Sequence, residues 1–133
     1  ICCVHSGWKG TLKNISKNAI TLFDKKKISR KNLTAIIGPC LNSKNYEVDR
    51  NFEKKFLIKN KNYSKFFRKK NINKTFFNLR GLINYQLKEL GLEKIHNVNL
   101  DTYANKRLFF SYRRSKHQNE KTTGRLINLI SLT

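Results

Sequence analysis

Ile95-His-Asn-Val-Asn-Leu100, Leu108-Phe-Phe-Ser-Tyr-Arg113 and Leu126-Ile-Asn-Leu-Ile-Ser-Leu132 follow one another with no helical spacing of apolar residues between them. Each run is short and rich in aliphatic or aromatic residues, which predicts three strands in a row. Upstream the period changes. Leu12, Ile15, Ala19, Leu22 and Phe23 recur at helical spacing, as do Leu79, Leu82, Ile83, Leu87 and Leu90, and Gly91 stands where a helix would end. Between these helices, Leu33-Thr-Ala-Ile-Ile37 reads as a buried strand stopped by Gly38-Pro39. Asp49–Leu57, with Phe52 and Phe56 four apart, reads as a short helix, Lys59–Lys70 as a basic helix, and Thr75–Phe77 as a short strand. Ile1–Val4 reads as a buried strand that delivers His5 to a turn, and Ser115–Gly124 as a polar loop. Helices mixed with strands that run together near the end predict an α+β fold, mixed sheets flanked by helices, in one domain over residues 1–133.

The formal charge of +21 raises nucleic acid or an anionic membrane surface as a partner. The excess is mostly Lys, scattered along the chain beside many Asn, Ile and Phe, a bias that A- and T-rich codons alone would give. No specific nucleic-acid partner is therefore expected. No apolar run approaches the ~18 residues that cross a bilayer, so no membrane partner is expected either. Three cysteines without a CxxC pair do not form a disulfide framework and suit a reducing, cytoplasmic setting. The chain opens inside an apolar run and contains no Met, which reads as a fragment of a longer protein.

Three stretches could carry chemistry. His5-Ser-Gly-Trp-Lys-Gly10 places a histidine in a glycine-rich turn before a helix, where Gly7 and Gly10 permit close approach and Lys9 adds a cation. His5 could be a ligand or a structural residue, and burial suffices to explain Trp8. Cys40, after Gly38-Pro39, could be a functional thiol or a small buried hydrophobe, and Glu47 an acid–base group or an ion-pair partner. Arg113 and Arg114 end an apolar run, with Thr123-Gly-Arg125 across the polar loop. Their guanidinium forks suit phosphate or carboxylate, or a structural salt bridge.

In this order the stretches resemble the laccase-domain (YfiH-like) family, whose members have been described as multicopper polyphenol oxidoreductases and as purine nucleoside phosphorylases. The family's His-Ala-Gly-Trp-Arg-Gly is similar to His5–Gly10, with Ser6 and Lys9 as departures. Its Gly-Pro-Cys and Tyr-Glu-Val resemble Gly38–Cys40 and Tyr46-Glu47-Val48. Its Phe-Phe-Ser-Tyr-Arg-Arg and Thr-Gly-Arg resemble Phe109–Arg114, including Ser111 and Tyr112, and Thr123-Gly124-Arg125. Where the family usually has Cys-Thr, this chain has Asp101-Thr102, so no role for that cysteine carries over.

The resemblance implies part of an α/β/β/α sandwich and one zinc bound by His, Cys and His, of which only the last maps here, onto His5. It implies phosphorolysis of adenosine, inosine and methylthioadenosine, with deamination of adenosine. Purine nucleosides and phosphate would be the small-molecule partners, and Lys9, Arg113 or Arg114 could hold the phosphate. A multicopper cluster is disfavoured by the three histidines, His5, His96 and His117, which contain no His-X-His pattern. The competing readings are a Cys/His-dependent hydrolase or amidase on the same fold and a basic nucleic-acid-binding module.

Overall fold

The computed structural model describes residues 1–131. Its helices are α1 (Trp8–Leu12), α2 (Ile15–Lys25), α3 (Arg50–Lys59), α4 (Leu79–Glu89) and α5 (Tyr112–His117). Its strands are β1 (Thr34–Ile37), β2 (Glu47–Asp49), β3 (Phe67–Lys69), β4 (Lys74–Phe77) and β5 (Lys94–Asn97). They form a parallel β1–β5 pair and an antiparallel sheet in the order β2-β4-β3. This is the mixed α+β pattern expected from the sequence.

The first helical run is divided. Asn14 adopts a left-handed conformation (φ 53°, ψ 55°), which Asn tolerates better than most residues, and its side chain accepts a bond from Lys17 N at 3.2 Å to cap α2. Leu12 thus belongs to α1, and Leu22, expected on the apolar face of α2, is exposed. α4 follows its apolar stripe closely, burying Leu79, Leu82, Ile83 and Leu87. Gly91 at φ 78° ends it in a Schellman motif: Leu92 N donates to Leu87 O at 3.1 Å and Gly91 N to Lys88 O at 2.8 Å.

An aromatic cluster fills the centre. Phe56 and Phe77 are fully buried, and Phe67 stacks on Phe77 with centroids 4.8 Å apart. Phe52 lies 5.1 Å from Phe56 and 5.3 Å from Phe77. These contacts explain why Lys59–Lys70 is not the helix its sequence suggested. Asn60, in an extended conformation, ends α3, a 3-10 segment Lys61–Phe66 follows, and β3 then carries Phe67 into register with Phe77.

Three strand expectations need correction. Ile1–Val4 is exposed and, among the described residues, belongs to no sheet, with Cys3 Sγ 3.9 Å from Asn128 O. Leu108–Arg113 is not a strand. Ser111 caps α5, accepting a bond from Arg114 N at 3.4 Å, so α5 begins inside that run and extends into the expected polar loop. Leu126–Ser131 lacks regular structure, with Ile127 and Leu129 exposed, while Leu132 lies outside the described residues. The remaining run, Ile95–Leu100, is a strand only through Asn97, but Val98 N still donates to Ile37 O at 2.9 Å and continues the pairing with β1.

Candidate functional site

The His5–Gly10 turn lies across the head of α1. His5 is exposed, and its ring rests so near Gly7 that a Cβ there would sit 2.7 Å from Nε2. A Cβ at Gly10 would meet the His5 carbonyl oxygen at 3.2 Å. Both glycines thus sit in close approach, one to the imidazole and one to its backbone. Among the described residues, only His117 of the three histidines has a ring hydrogen bond, to Tyr103 Oη at 2.9 Å. The imidazole of His5 is left without a fixed partner.

Thr11 anchors this turn to the core. Its fully buried Oγ1 lies 3.1 Å from Ser6 Oγ and donates to Ser6 O at 3.2 Å. Gln86, buried on the apolar stripe of α4, donates from Nε2 to Thr11 O at 2.9 Å and to Tyr63 Oη at 3.2 Å. The sequence reading missed both residues. A glutamine on an otherwise apolar stripe was the available signal, because a buried amide must find partners.

The other stretches converge on Phe52. Trp8 packs against it at 5.2 Å, with the ammonium groups of Lys9 and Lys55 5.5 and 5.8 Å from the Trp8 ring. Tyr46 lies 6.2 Å from Phe52, and the Arg113 guanidinium sits 5.4 Å above the Tyr46 ring while donating to Glu47 O at 2.7 Å. Trp8, Phe52, Tyr46 and Arg113 thus form one line through all three motif stretches. Phe52 was read from sequence only as one face of a short helix.

The electrostatics sort the candidates further. The Glu47 carboxylate pairs with Lys70 and lies 3.8 Å from Lys74 Nζ. Its hydrogen bond with Lys70 holds its pKa below the usual range, so it is an ion-pair partner in this arrangement. Burial pushes the Tyr46 hydroxyl up to about 12. Burial also raises the Cys40 thiol, against the opposing effect of Arg80; fewer thiolates form there, which weakens the cysteine-nucleophile reading. Asp101, at the family's usual Cys position, accepts bonds from Asn42 N at 3.3 Å, Asn45 Nδ2 at 2.7 Å and Tyr103 N at 2.8 Å, so it organises a turn.

The paired arginines have different surroundings. Arg114 donates to the carbonyls of Thr102 and Tyr103, each at 2.8 Å, and of Phe109 at 2.6 Å. It clamps the loop before α5, whereas Arg113 has one protein carbonyl and an aromatic face. Both lie on α5 and not at the end of a strand. Tyr112 is exposed, with the Lys116 ammonium 5.5 Å from its ring. Gly124 lies under Phe110, where a Cβ would come within 2.6 Å of the ring. Arg125 donates only to its neighbours, Thr123 O at 3.1 Å and Gly124 O at 3.3 Å. No hydrogen bond among the described residues joins His5 or Lys9 to Arg113 or Arg114.

The donor set can be tested against an implied metal. Among the described residues, no group of three or more His, Cys, Asp or Glu side chains could hold an ion. His5 alone is not a zinc site. Among the same residues, no helix is long and apolar enough to cross a membrane, and all three cysteines are free.

A purine nucleoside phosphorylase of Rickettsia conorii, RC0672, is 37% identical over 131 residues, 98% of this chain and 54% of that protein. The purine nucleoside phosphorylase YfiH of Escherichia coli is 26% identical over 132 residues, 99% of this chain and 51% of its own length. This chain therefore spans about half the length of the curated relatives it matches. Among solved structures, a Bacillus licheniformis YfiH protein superposes with a TM-score of 0.78 at 27% identity, covering 85% of this chain and 44% of that one. The Neisseria meningitidis protein NMB0706, at 24% identity, shares the fold with a TM-score of 0.77 over 84% of this chain and 45% of its own. The model of one family matches residues 1–133 throughout, and the chain belongs to that family, the multi-copper polyphenol oxidoreductase laccase family.

Proposed function

We propose that the protein bearing this chain is a zinc-dependent purine nucleoside phosphorylase of the cytoplasm, acting on adenosine, inosine and methylthioadenosine, with deamination of adenosine as a second activity. The observation that carries this reading is the exposed His5 imidazole, held over Gly7 with no fixed partner, in a turn that Thr11 and Gln86 tie to the core. An exposed ring without a protein partner, in a turn tied to the core beside it, is open to a ligand. The names of the relatives supply the reaction class.

The residues of this chain fit zinc only in part. His5 would give one donor, and a catalytic site needs about three protein ligands. The others would come from polypeptide outside residues 1–133, for which the greater length of the relatives leaves room. This chain is then one part of a larger laccase-domain protein and is inactive alone. When bound, zinc supplies Lewis acidity.

In phosphorolysis a phosphate oxygen bonds to the ribose anomeric carbon as the bond from that carbon to the purine nitrogen breaks. The purine leaves with the bonding pair and takes up a proton. The attacking dianion needs cations around it. Arg113 is the better placed of the two arginines, since Arg114 is engaged by three carbonyls. Lys9 is the second candidate, exposed beside Trp8.

The test is product analysis with the natural-length protein. Adenosine should be converted to adenine and ribose 1-phosphate only when phosphate is present, and Arg113→Gln should raise the KM for phosphate about tenfold, the effect of losing a charged hydrogen bond. Release of adenine independent of phosphate, or activity stopped by thiol alkylation and not by chelators, would favour the hydrolase reading instead.

A further inference from the structure

A second concave site lies on the other side of α4 from the His5 turn. Gln86 reaches α1 from one face of α4, whereas Arg80, Asn84 and Lys88 line a cavity of about 420 Å³ with Cys40, Asn97 and Asn99. The cavity opens beyond the carboxyl ends of the parallel pair, after Ile37 in β1 and Asn97 in β5. Such ends are where sheets of this kind leave room for ligands, because the chain turns away from the strand there.

Its chemistry is one-sided. Two cations, Arg80 and Lys88, contribute to the lining, and no carboxylate does. The nearby acid, Asp101, is engaged by three donors, Tyr103 N in its own turn and Asn42 N and Asn45 Nδ2 from the segment before β2. Arg80 is held in place, donating from Nη1 to Asn99 Oδ1 at 3.2 Å and from Nη2 to Leu100 O at 3.0 Å, while its buried Nε has no acceptor among the described residues. Asn84 and Asn97 are fixed by reciprocal amide bonds of 2.8 and 3.1 Å. A guanidinium positioned by protein carbonyls, with no carboxylate to neutralise it, is a prepared anion receptor. The first turn of α4, which contains no acidic side chain, adds to the positive potential.

We infer that this cavity binds the phosphate group of a small molecule, with Arg80 and Lys88 as its cationic contacts. The volume exceeds that of a lone phosphate, and the fixed asparagine amides offer partners for the hydroxyl groups of a phosphate ester. The site does not depend on His5 or on zinc.

Cys40 in the cavity wall is a local reporter. In the natural-length protein, the rate of iodoacetamide alkylation at Cys40, read by peptide mass spectrometry, should fall as ribose 5-phosphate is added and stay unchanged with ribose. Inorganic phosphate forms the third arm. Equal protection by phosphate identifies free phosphate as the occupant, and protection by the ester alone identifies an ester. Lys88→Gln, at an exposed position that leaves folding intact, should weaken protection about tenfold, and Arg80→Lys should weaken it while keeping the charge. The inference is overturned if neither phosphate compound slows alkylation, if ribose protects equally well, or if Lys88→Gln leaves the protection curve in place.

Discussion

The two sheets of this molecule differ sharply in what covers them. In β2-β4-β3, Phe77 is 0% and Thr75 1% exposed, with α3 and α4 supplying aromatic and aliphatic partners. In the β1–β5 pair, Ile37 is buried but Ile36 is 65% exposed. The inner residues of the first sheet have the neighbours a core needs, whereas Ile36 of the second has little cover among the described residues. The chain spans about half the length of the curated relatives it matches. The closed region fixes His5 from behind, through Thr11 and Gln86.

The contrast can be broken most directly by truncating one residue from each sheet. Phe77→Ala should destabilise by about 3–5 kcal/mol, since it opens a cavity in a filled core, whereas Ile36→Thr should stay within about 0.5 kcal/mol in the isolated chain. Denaturant midpoints measure both, and equal losses would remove the distinction. Arg114→Met should be the next largest change. It frees the carbonyls of Thr102, Tyr103 and Phe109, a loss of roughly 1–3 kcal/mol, and hydrogen exchange should rise in residues 101–118 while α4 stays protected. Exchange that rises equally in α4 would mean that the clamp supports the whole molecule.

The smallest effect sharpens the comparison at the edge of the closed sheet. The hydrogen bond with Lys70 holds the Glu47 carboxyl in the folded state below the ordinary glutamate range. Its contribution is therefore fully present above the unfolded pKa and is lost as pH falls through the lower folded one. Acid unfolding should become less steep over that window in Lys70→Met, and salt should diminish the difference because the pair is partly exposed. An unchanged acid profile would show that the pair has no energetic role.

Much of this architecture was legible in local pattern. The apolar stripe of α4 and its Gly91 stop were readable because helix period and capping agreed. The β1 strand was readable from Thr34–Ile37 and its Gly-Pro terminator. Other features depended on partners distant in sequence. Phe-Phe-Ser-Tyr-Arg-Arg has strand-like composition, yet the Ser111 cap and the carbonyls gathered by Arg114 make its end a helix. Lys59–Lys70 lost its helix to the pairing of Phe67 with Phe77. In the candidate site, the three motif stretches were visible, but their junction at Phe52 and the Thr11–Gln86 anchor were not, because the partners lie far apart in sequence and only Gln86, on an apolar stripe, gave a local sign.

The central claim is that His5 donates to a zinc ion whose remaining ligands lie in polypeptide beyond these residues. Metal analysis of the natural-length protein and its His5→Ala variant tests it most directly, with circular dichroism confirming that both are folded. The account predicts about one zinc per chain in the first and nearly none in the second, as expected when one of three protein ligands is lost. Undiminished zinc in the folded variant would contradict it.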